Sequence, residues 1–217
     1  MRKSKAETAK TRQRIVEVAS EAIRNKGIEA TGVAEIMAAA GLTHGGFYRH
    51  FGSKDELVKE AVGLSRNDYL AGTVSASDRG PEALMKHFQE YLSPVYRDDI
   101  GGGCPLAANG SELVRGDAIT RHNATEALRL WFGKAVPHMR SQDDGSKTEM
   151  AIAVVTNMIG ALTMSRMVDD PALSDQILEA TRKRIAEAFN LPSPKRRADS
   201  ATRAPKAKKK RGKSSTQ

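Results

Sequence analysis

The sequence has little of what secreted proteins and strand-rich proteins depend on. It contains one cysteine, Cys104, which excludes an intramolecular disulfide framework and fits a reducing compartment. Aromatic residues make up 5% of the chain, and runs of Val, Thr and Tyr typical of strands are missing. The rest is rich in Leu, Ile, Val, Ala and Met, a composition that favours helices. We therefore expect an all-α protein.

Long apolar segments are also missing. Residues 1–10 are charged from the second position and lack an apolar stretch, so they are not a signal peptide. The longest uncharged run, residues 150–165, is shorter than the roughly 20 residues that span a bilayer. We therefore expect a cytoplasmic protein without a membrane partner, associated with the nucleoid if it binds DNA.

Signatures of catalysis and metal binding are absent from the sequence. His87, His122 and His138 lack the spacing of metal ligands. No nucleophile stands in a recognisable pattern with a base, and a redox enzyme using Cys104 would need a resolving cysteine or a cofactor motif. We therefore expect no metal, no cofactor and no enzymatic activity.

Positive charge is concentrated at the two ends of the chain. The net charge of +9 divides into +4 for residues 1–59 (11 Lys/Arg, 7 Asp/Glu), −4 for residues 60–194 (14 and 18) and +9 for residues 195–217 (10 and 1). The two outer segments therefore suit a polyanion, whereas the middle does not. Residues 192–217 have no large apolar residue beyond the prolines, so we expect a disordered Lys/Arg-rich tail that attracts phosphates.

The first third of the chain has the pattern of a helix-turn-helix unit. A basic arm, residues 1–9, precedes a helix, and a second helix is separated from a third by the three residues Gly41, Leu42 and Thr43. In such a unit the later helix, here residues 44–50, enters the DNA major groove. Thr43 can cap it, and Ser53 with Glu56 forms a capping box for the helix that follows. The apolar residues that give the helical spacing are Ile15, Val18, Ala19, Ala22 and Ile23, then Val33, Ile36, Met37 and Ala40, then Phe47 and Phe51.

These residues resemble the TetR family of bacterial transcriptional repressors. The resemblance covers roughly residues 10–64 and rests on Val33-Ala34-Glu35-Ile36 and on Ala40-Gly41-Leu42-Thr43-His44-Gly45-Gly46-Phe47-Tyr48-Arg49-His50-Phe51-Gly52-Ser53-Lys54-Asp55-Glu56-Leu57. It implies an N-terminal three-helix helix-turn-helix DNA-binding domain (residues 10–64, helix-turn-helix 33–52). It also implies a helical ligand-binding and dimerisation domain (residues 65–191) and a homodimer on double-stranded DNA.

The resemblance also assigns individual residues to DNA. Thr43, His44, Gly45 and Gly46 would lie near base edges or the groove wall, where the glycines permit close approach. Tyr48 and Lys54 would hold phosphates, with Arg49 and His50 adjacent.

The middle domain offers two candidate sensing residues. Three glycines leave the loop before Cys104 free to bend, and Pro105 suits the first position of a helix, so Cys104 lies at a helix N-terminus. The helix dipole there lowers a thiol pKa, and the segment from Gly103 to Ala108 resembles the branch of the family with the N-ethylmaleimide-responsive repressor, which senses electrophiles. Alternatively, Cys104 is a small buried residue. Trp131 either lines a ligand cavity or fills the core.

The C-terminal helices are candidates for dimerisation. Ser146 and Glu149 form a second capping-box pattern, opening a helix that is apolar on more than one face, and residues 174–189 form the last helix. In the family, the last two helices of each subunit make a four-helix interface. The sequence thus predicts a ligand- or electrophile-responsive repressor that binds a palindromic operator as a homodimer. The alternative is an architectural nucleoid protein whose basic tail dominates.

Overall fold

The computed structural model describes residues 4–189, apart from the side chains of residues 65, 66, 68 and 69. Every regular element within this range is a helix, which confirms the all-α prediction. The predicted tail (192–217) and residues 1–3 lie outside the described residues. The α-helices are α1 (Lys5–Lys26), α2 (Val33–Ala39), α3 (Lys54–Asp78), α4 (Pro81–Tyr91), α5 (Pro94–Asp98), α6 (Pro105–Arg115), α7 (Ala118–Ala135), α8 (Asp144–Met167) and α9 (Pro171–Ala188), and 3-10 helices span His44–Arg49 and Val136–His138.

Helix α1 starts earlier than the sequence predicted. Ser4 and Glu7 form a capping box, in which the Ser4 hydroxyl accepts from the Glu7 N–H at 3.1 Å and the Glu7 carboxylate accepts from the Ser4 N–H at 2.7 Å. The reciprocal bonds satisfy two free helix-terminal groups, so the helix extends back to Lys5. Residues 5–9 are therefore helical and do not form an extended arm.

A small apolar core joins α1, α2, the 3-10 helix His44–Arg49 and the start of α3. Phe47 and Phe51 are 1% and 2% exposed, with ring centroids 5.6 Å apart, so the predicted inward orientation of both is confirmed. The Ser53 hydroxyl caps α3 by accepting from the Glu56 N–H, as predicted. The Glu56 carboxylate, however, accepts from the Gly52 N–H, so the capping box is only half formed.

The second and larger core is built around Trp131. Its ring packs edge-on against Phe88 and Tyr91, with centroids 6.3 and 5.6 Å away. Helix α3 contributes Leu57 and Ala61 to the first core and Leu70 and Ala76 to the second. The predicted domain boundary at residue 64 therefore falls inside a continuous helix that belongs to both cores.

The two C-terminal helices start before their predicted positions. The Asp143 carboxylate caps α8 by accepting from the Ser146 N–H at 2.7 Å, so the capping box predicted for Ser146 and Glu149 is wrong. Asp170 caps α9 in the same way, and Pro171 occupies its first turn. In both cases an aspartate upstream of the predicted start accepts the free N–H groups.

Helix α8 is longer than its uncharged run. Among the described residues it is the one helix that is long and apolar enough, by length and composition, to cross a membrane. The expectation that no segment is long enough to span a bilayer considered residues 150–165 alone, and the whole helix is longer than that run. One face of α8 is nevertheless buried in the larger core through Ala151, Val155, Met158 and Leu162. The helix also packs along α9, as a helix in the core of a helical protein does.

Candidate nucleic-acid interface

The segment predicted to enter DNA is a 3-10 helix, His44–Arg49, which we call the recognition helix. Its bonds connect residues three apart: the Gly46 N–H donates to the Thr43 carbonyl at 2.9 Å, and the His50 N–H donates to the Phe47 carbonyl at 2.8 Å. Consecutive glycines have a low α-helical propensity, which accounts for the tighter winding. Thr43 occupies the N-cap position, but its side chain makes no cap hydrogen bond, so that part of the prediction is wrong.

The recognition helix presents polar groups on the side opposite its apolar anchor. Tyr48 is 72% exposed and meets the buried Phe47 ring edge-on at 5.2 Å. Thr43, His44, Gly45 and Arg49 are exposed as well, and Gly46 and His50 are half-buried. The structure thus places the predicted contact residues between 43 and 50 on one continuous segment backed by Phe47.

Lys54 lies one step away, at the start of α3. Its ammonium group lies 3.5 Å from the Glu29 carbonyl oxygen in the loop between α1 and α2. Because an ammonium carries three donors, this contact leaves capacity for a phosphate. Lys54 is half-buried, in contrast to the exposed Tyr48.

Neither glycine of the recognition helix is required by the packing within the chain. A Cβ atom at Gly45 would meet nothing within 4 Å, and one at Gly46 would lie 3.6 Å from the Met37 methyl group, an ordinary contact. Neither residue has a positive φ. Both positions can therefore accept a side chain as far as the fold is concerned.

Arg12 fixes the recognition helix and was missed by the sequence analysis. Its Nε donates to the His50 carbonyl at 3.1 Å, its Nη2 donates to Glu56 at 3.0 Å, and it forms an ion pair with Glu60. The guanidinium also lies 4.3 Å from the centroid of the Phe51 ring. The hydrogen bonds that the guanidinium donates to the Glu60 carboxylate raise the pKa of Arg12. Partners some 40 residues away leave no local signal in the sequence.

An apolar cavity lies beneath the DNA-facing unit, between α3, α6 and α7. Its free volume is about 20 Å³, the space of one or two water molecules, so a larger ligand enters only by displacing side chains of the lining. Trp131 lines this cavity and is also fully buried in the core, so its packing role is observed and its contact with a ligand stays a prediction. Among the described side chains of the lining, Thr120 and Asn123 on α7 carry a hydroxyl and an amide. The remaining lining residues are Val62, Gly63, Leu70, Cys104, Pro105, Leu106, Leu113, Ala124 and Ala127.

Cys104 has the predicted position but not the predicted acidity. It is the N-cap residue of α6 and is fully buried at the cavity wall. Burial raises the pKa of its thiol, outweighing the N–H groups of Ala107 and Leu106 and the Tyr91 hydroxyl, which lower it. The helix N-terminus does favour the thiolate, but desolvation dominates. The alternative of a small buried residue describes Cys104 better.

The glycines before Cys104 are packed, which corrects the expectation of a loop free to bend. A Cβ atom at Gly101 would lie closer than 3.0 Å to the Asn25 amide, and one at Gly102 would approach Asp99 as closely. A Cβ atom at Gly103 would lie 2.8 Å from the Asp99 carbonyl oxygen. Glycine is required at Gly103, where the obstacle is backbone, whereas the Asn25 and Asp99 side chains next to Gly101 and Gly102 can shift.

Among the described residues, no group of three or more His, Cys, Asp or Glu side chains is arranged to hold a metal ion. The histidines at positions 87 and 138 instead pair with hydroxyls of α3. Their Nε2 atoms lie 3.2 Å from the Thr73 and 3.0 Å from the Ser77 oxygen.

Comparison with known proteins matches residues 15–61 to the family model described as bacterial regulatory proteins, tetR family. An uncharacterised helix-turn-helix regulator of Mycobacterium tuberculosis is 23% identical over 173 residues, which cover 73% of this chain and 86% of that protein. The regulator AcrR of Shigella flexneri is 40% identical over 67 residues, or 31% of each chain.

Solved structures share the fold along most of the chain. A TetR-family regulator from Cytophaga hutchinsonii has a TM-score of 0.67 at 23% identity, covering 88% of this chain and all of that one. The reduced form of NemR from E. coli has a TM-score of 0.72 at 14% identity, covering 85% and 100%. At these identities the similarity establishes the fold, and it does not transfer the chemistry of a particular cysteine.

Proposed function

Because the chain belongs to the TetR family of transcriptional regulators, we propose that it is a ligand-responsive repressor that binds a palindromic operator as a homodimer. The observation that carries the proposal is the recognition helix, whose polar residues face solvent while Phe47 and Phe51 anchor it. An exposed polar surface on an anchored helix is what readout of a DNA groove requires.

The DNA contacts follow from position and chemistry. Thr43, His44, Gly45 and Gly46 lie at the leading end of the recognition helix and would meet base edges or the groove wall. Tyr48, exposed and held against Phe47, would donate its hydroxyl to a phosphate, and Lys54 would hold a second. Arg49 and His50 would add charge or hydrogen bonds beside them.

The effector would be a mostly apolar small molecule. Most of the described lining residues are apolar, and Thr120 and Asn123 add a hydroxyl and an amide, which suits a mostly apolar ligand that carries a hydrogen-bonding group. The raised pKa of Cys104 leaves the thiol protonated at neutral pH and disfavours electrophile sensing through a thiolate. We therefore assign regulation to reversible binding rather than to thiol modification.

Dimerisation would use α8 and α9. Large apolar side chains on these helices remain exposed within one chain, including Ile152, Met164, Met167 and Leu173. A dimer would hold two recognition helices about one turn of DNA apart, and an effector that prefers another spacing would release the operator. Cytoplasmic location and nucleoid association follow from this role.

Selection of bound sequences from a random DNA pool, followed by footprinting, tests repressor against architectural protein. A repressor protects one palindrome and binds elsewhere weakly, whereas uniform coating of DNA would contradict our proposal. Truncation after Leu191 separates the two contributions: palindrome binding survives, and the salt-dependent nonspecific affinity falls.

The ligand cavity is tested with N-phenyl-1-naphthylamine, a neutral apolar fluorophore. Trp131 is the only tryptophan of the chain and lines the cavity, so a bound probe quenches its fluorescence by energy transfer. The expected result is saturable quenching that Ala124→Phe weakens, because the larger side chain occupies the cavity without adding a second tryptophan. Quenching without saturation would contradict a defined site.

A further inference from the structure

We propose that Asn109 and Glu112 of α6 form an interdomain clamp that carries the state of the ligand cavity to the C-terminal end of α1. These are positioning residues, since neither lines the cavity nor lies on the recognition helix. The proposal rests on the proposed ligand response and names the contacts through which that response reaches the DNA-binding unit.

Asn109 interrupts α6 to reach α1. Its φ and ψ of −122° and 16° are non-helical, and it is 3% exposed. Its amide Nδ2 donates to the Ile23 carbonyl at 3.0 Å and to the Glu112 carboxylate at 3.1 Å. A buried amide placed at a break in a helix costs stability unless its hydrogen bonds are made. Here those bonds join one helix to the end of another.

Glu112 grips the chain just beyond α1. One carboxylate oxygen accepts from the Ile28 N–H at 2.8 Å and the Glu29 N–H at 3.4 Å. A Cβ atom at Gly27 would lie 2.9 Å from that oxygen, and Gly27 also has a φ of +89°. Glycine is therefore required there both for the turn and for the approach of the carboxylate. The gripped residues lead directly into α2.

The same short helix faces the cavity. Pro105 and Leu106 in its first turn and Leu113 in its last line the cavity, on either side of the clamp residues in sequence. A ligand that displaces these apolar side chains therefore displaces a helix that is hydrogen-bonded to α1. The clamp converts that displacement into strain at the turn between α1 and α2.

Two other contacts also join the helix-turn-helix unit to the C-terminal part of the chain. Arg24 of α1 donates to the Gly101 carbonyl, so the packed glycine loop before α6 supports the same end of α1. The ion pair between Lys59 and Asp117 joins groups that are 39% and 46% exposed, and such a pair couples weakly in water. Neutralising it should leave the response unchanged.

Hydrogen exchange of the full-length protein tests the clamp. In the wild type, we expect saturation with N-phenyl-1-naphthylamine to change amide exchange in residues 23–29 by about tenfold, since ligand-linked opening is local. Glu112→Ala should keep the Trp131 quenching by the probe but lose the change in residues 23–29. Glu112→Gln retains an oxygen acceptor for the Ile28 N–H and should restore part of it.

Two further variants control for structural damage. Arg115 lies on the same helix and donates a hydrogen bond to the Ser111 carbonyl within α6, so Arg115→Ala should respond like the wild type. Asn109→Ala should behave like Glu112→Ala, which provides a second variant if one of them fails to fold. Circular dichroism confirms that each variant is helical.

The outcomes separate the clamp from the proposed function. Saturable quenching of Trp131 without any exchange change in residues 23–29, or an unchanged response in Glu112→Ala, overturns the clamp alone. If the probe fails to quench Trp131, the proposed ligand binding fails, and Ala124→Phe replaces the probe as a side chain that displaces the cavity lining from within. The clamp then predicts that the substitution at Ala124 alters amide exchange in residues 23–29 and that adding Glu112→Ala abolishes this change. If the altered exchange persists in the double variant, the clamp is refuted.

Discussion

At the scale of single residues, Arg12 does the most to hold the recognition helix in place. It bonds to the His50 carbonyl where the helix ends, pairs with Glu56 and Glu60 on α3, and covers Phe51. We predict that Arg12→Ala lowers the free energy of unfolding by about 1–2 kcal/mol, because charged hydrogen bonds and a ring contact are lost together. Urea unfolding followed by circular dichroism measures the change.

Arg12→Lys distinguishes geometry from charge at this position. An ammonium group cannot make the forked contacts of a guanidinium, so lysine should recover less than half of the loss. Lys86→Ala, which removes an exposed ion pair with Glu90, is the matched control and should change stability by less than about 0.5 kcal/mol. Full recovery by lysine would show that charge alone matters.

Cys104 provides a residue-scale test that depends on pH. Because burial raises its pKa, the protonated thiol is the form that the fold stabilises. This contribution is complete below the ordinary thiol pKa of about 8.5 and is lost as the pH rises through the folded value. We predict that iodoacetamide labels the native protein at pH 7 at least about 100-fold more slowly than the unfolded protein. Mass spectrometry over time measures both rates.

The unfolding free energies of the wild type and Cys104→Ala give the complementary measurement. Between about pH 8 and 10, the free energy of unfolding of the wild type should fall relative to that of Cys104→Ala, because only the wild type has a thiol to ionise. Native labelling as fast as that of the unfolded protein would reinstate Cys104 as a reactive sensor.

Which residues the sequence could assign depended on how far away their partners lie. The four-residue spacing of Phe47 and Phe51 was enough to predict their burial, since both face the same neighbouring helix. Arg12 and Glu112 act on partners up to 84 residues away, and no periodicity records such contacts. The acidity of Cys104 was predicted from its helix N-terminus alone, and its full burial reversed the result.

At the scale of elements, the recognition helix shows what its two glycines are for. Because a Cβ atom at Gly45 meets nothing within 4 Å, Gly45→Ala should leave the fold intact and stabilise it by up to about 1 kcal/mol. The added methyl group would intrude where the groove wall approaches, so we predict a loss of operator affinity of about tenfold or more. Thermal unfolding and fluorescence anisotropy with the selected operator measure the two effects.

Gly133→Ala is the matched control for this prediction. Gly133 is exposed on α7, and a Cβ atom there also meets nothing within 4 Å, so the same chemical change occurs far from the recognition helix. It should leave operator affinity unchanged. Equal affinity in Gly45→Ala would remove Gly45 from the interface.

The sequence was enough to predict that the elements are helices. It did not predict the first residues of several helices or the 3-10 winding of the recognition helix. Apolar spacing predicted α1 and α2, because a helix that faces a core repeats its apolar residues every three or four positions. The starts of α1, α8 and α9 depended on which of several polar residues caps first, namely Ser4, Asp143 and Asp170. The 3-10 winding of the recognition helix follows from local hydrogen bonds that apolar spacing does not encode.

At the scale of the whole molecule, α3 joins the two cores and α6 lies between the cavity and α1. The helix-turn-helix unit is thus held by a shared helix and by the clamp, so a change at the cavity has short paths to the DNA-facing surface. Such a change alters operator affinity only if the position of one recognition helix matters relative to another. The proposed release of the operator through a change in the spacing of two recognition helices therefore depends on the proposed dimer.

The exposed apolar side chains of the C-terminal helices give the test of that requirement. Met164 and Met167 on α8 are 59% and 76% exposed, and a Cβ atom at Gly160 on the same helix would meet nothing within 4 Å, which leaves room for a helix from another subunit. We predict that Met164→Asp raises the dimer dissociation constant at least tenfold, or about 1.4 kcal/mol, because a carboxylate would be desolvated in the interface. Analytical ultracentrifugation measures the constant.

Val114→Asp is the matched control, because Val114 is 74% exposed but lies on α6, which is not one of the two helices of the proposed interface. It should remain dimeric and bind the operator like the wild type. Met164→Asp should keep its helical content and lose operator affinity in parallel with dimerisation, with affinity recovering at protein concentrations that restore the dimer. If Met164→Asp dissociates but still binds the full palindrome with wild-type affinity, then spacing between two recognition helices is not what the DNA senses, and the proposed route of regulation fails with it.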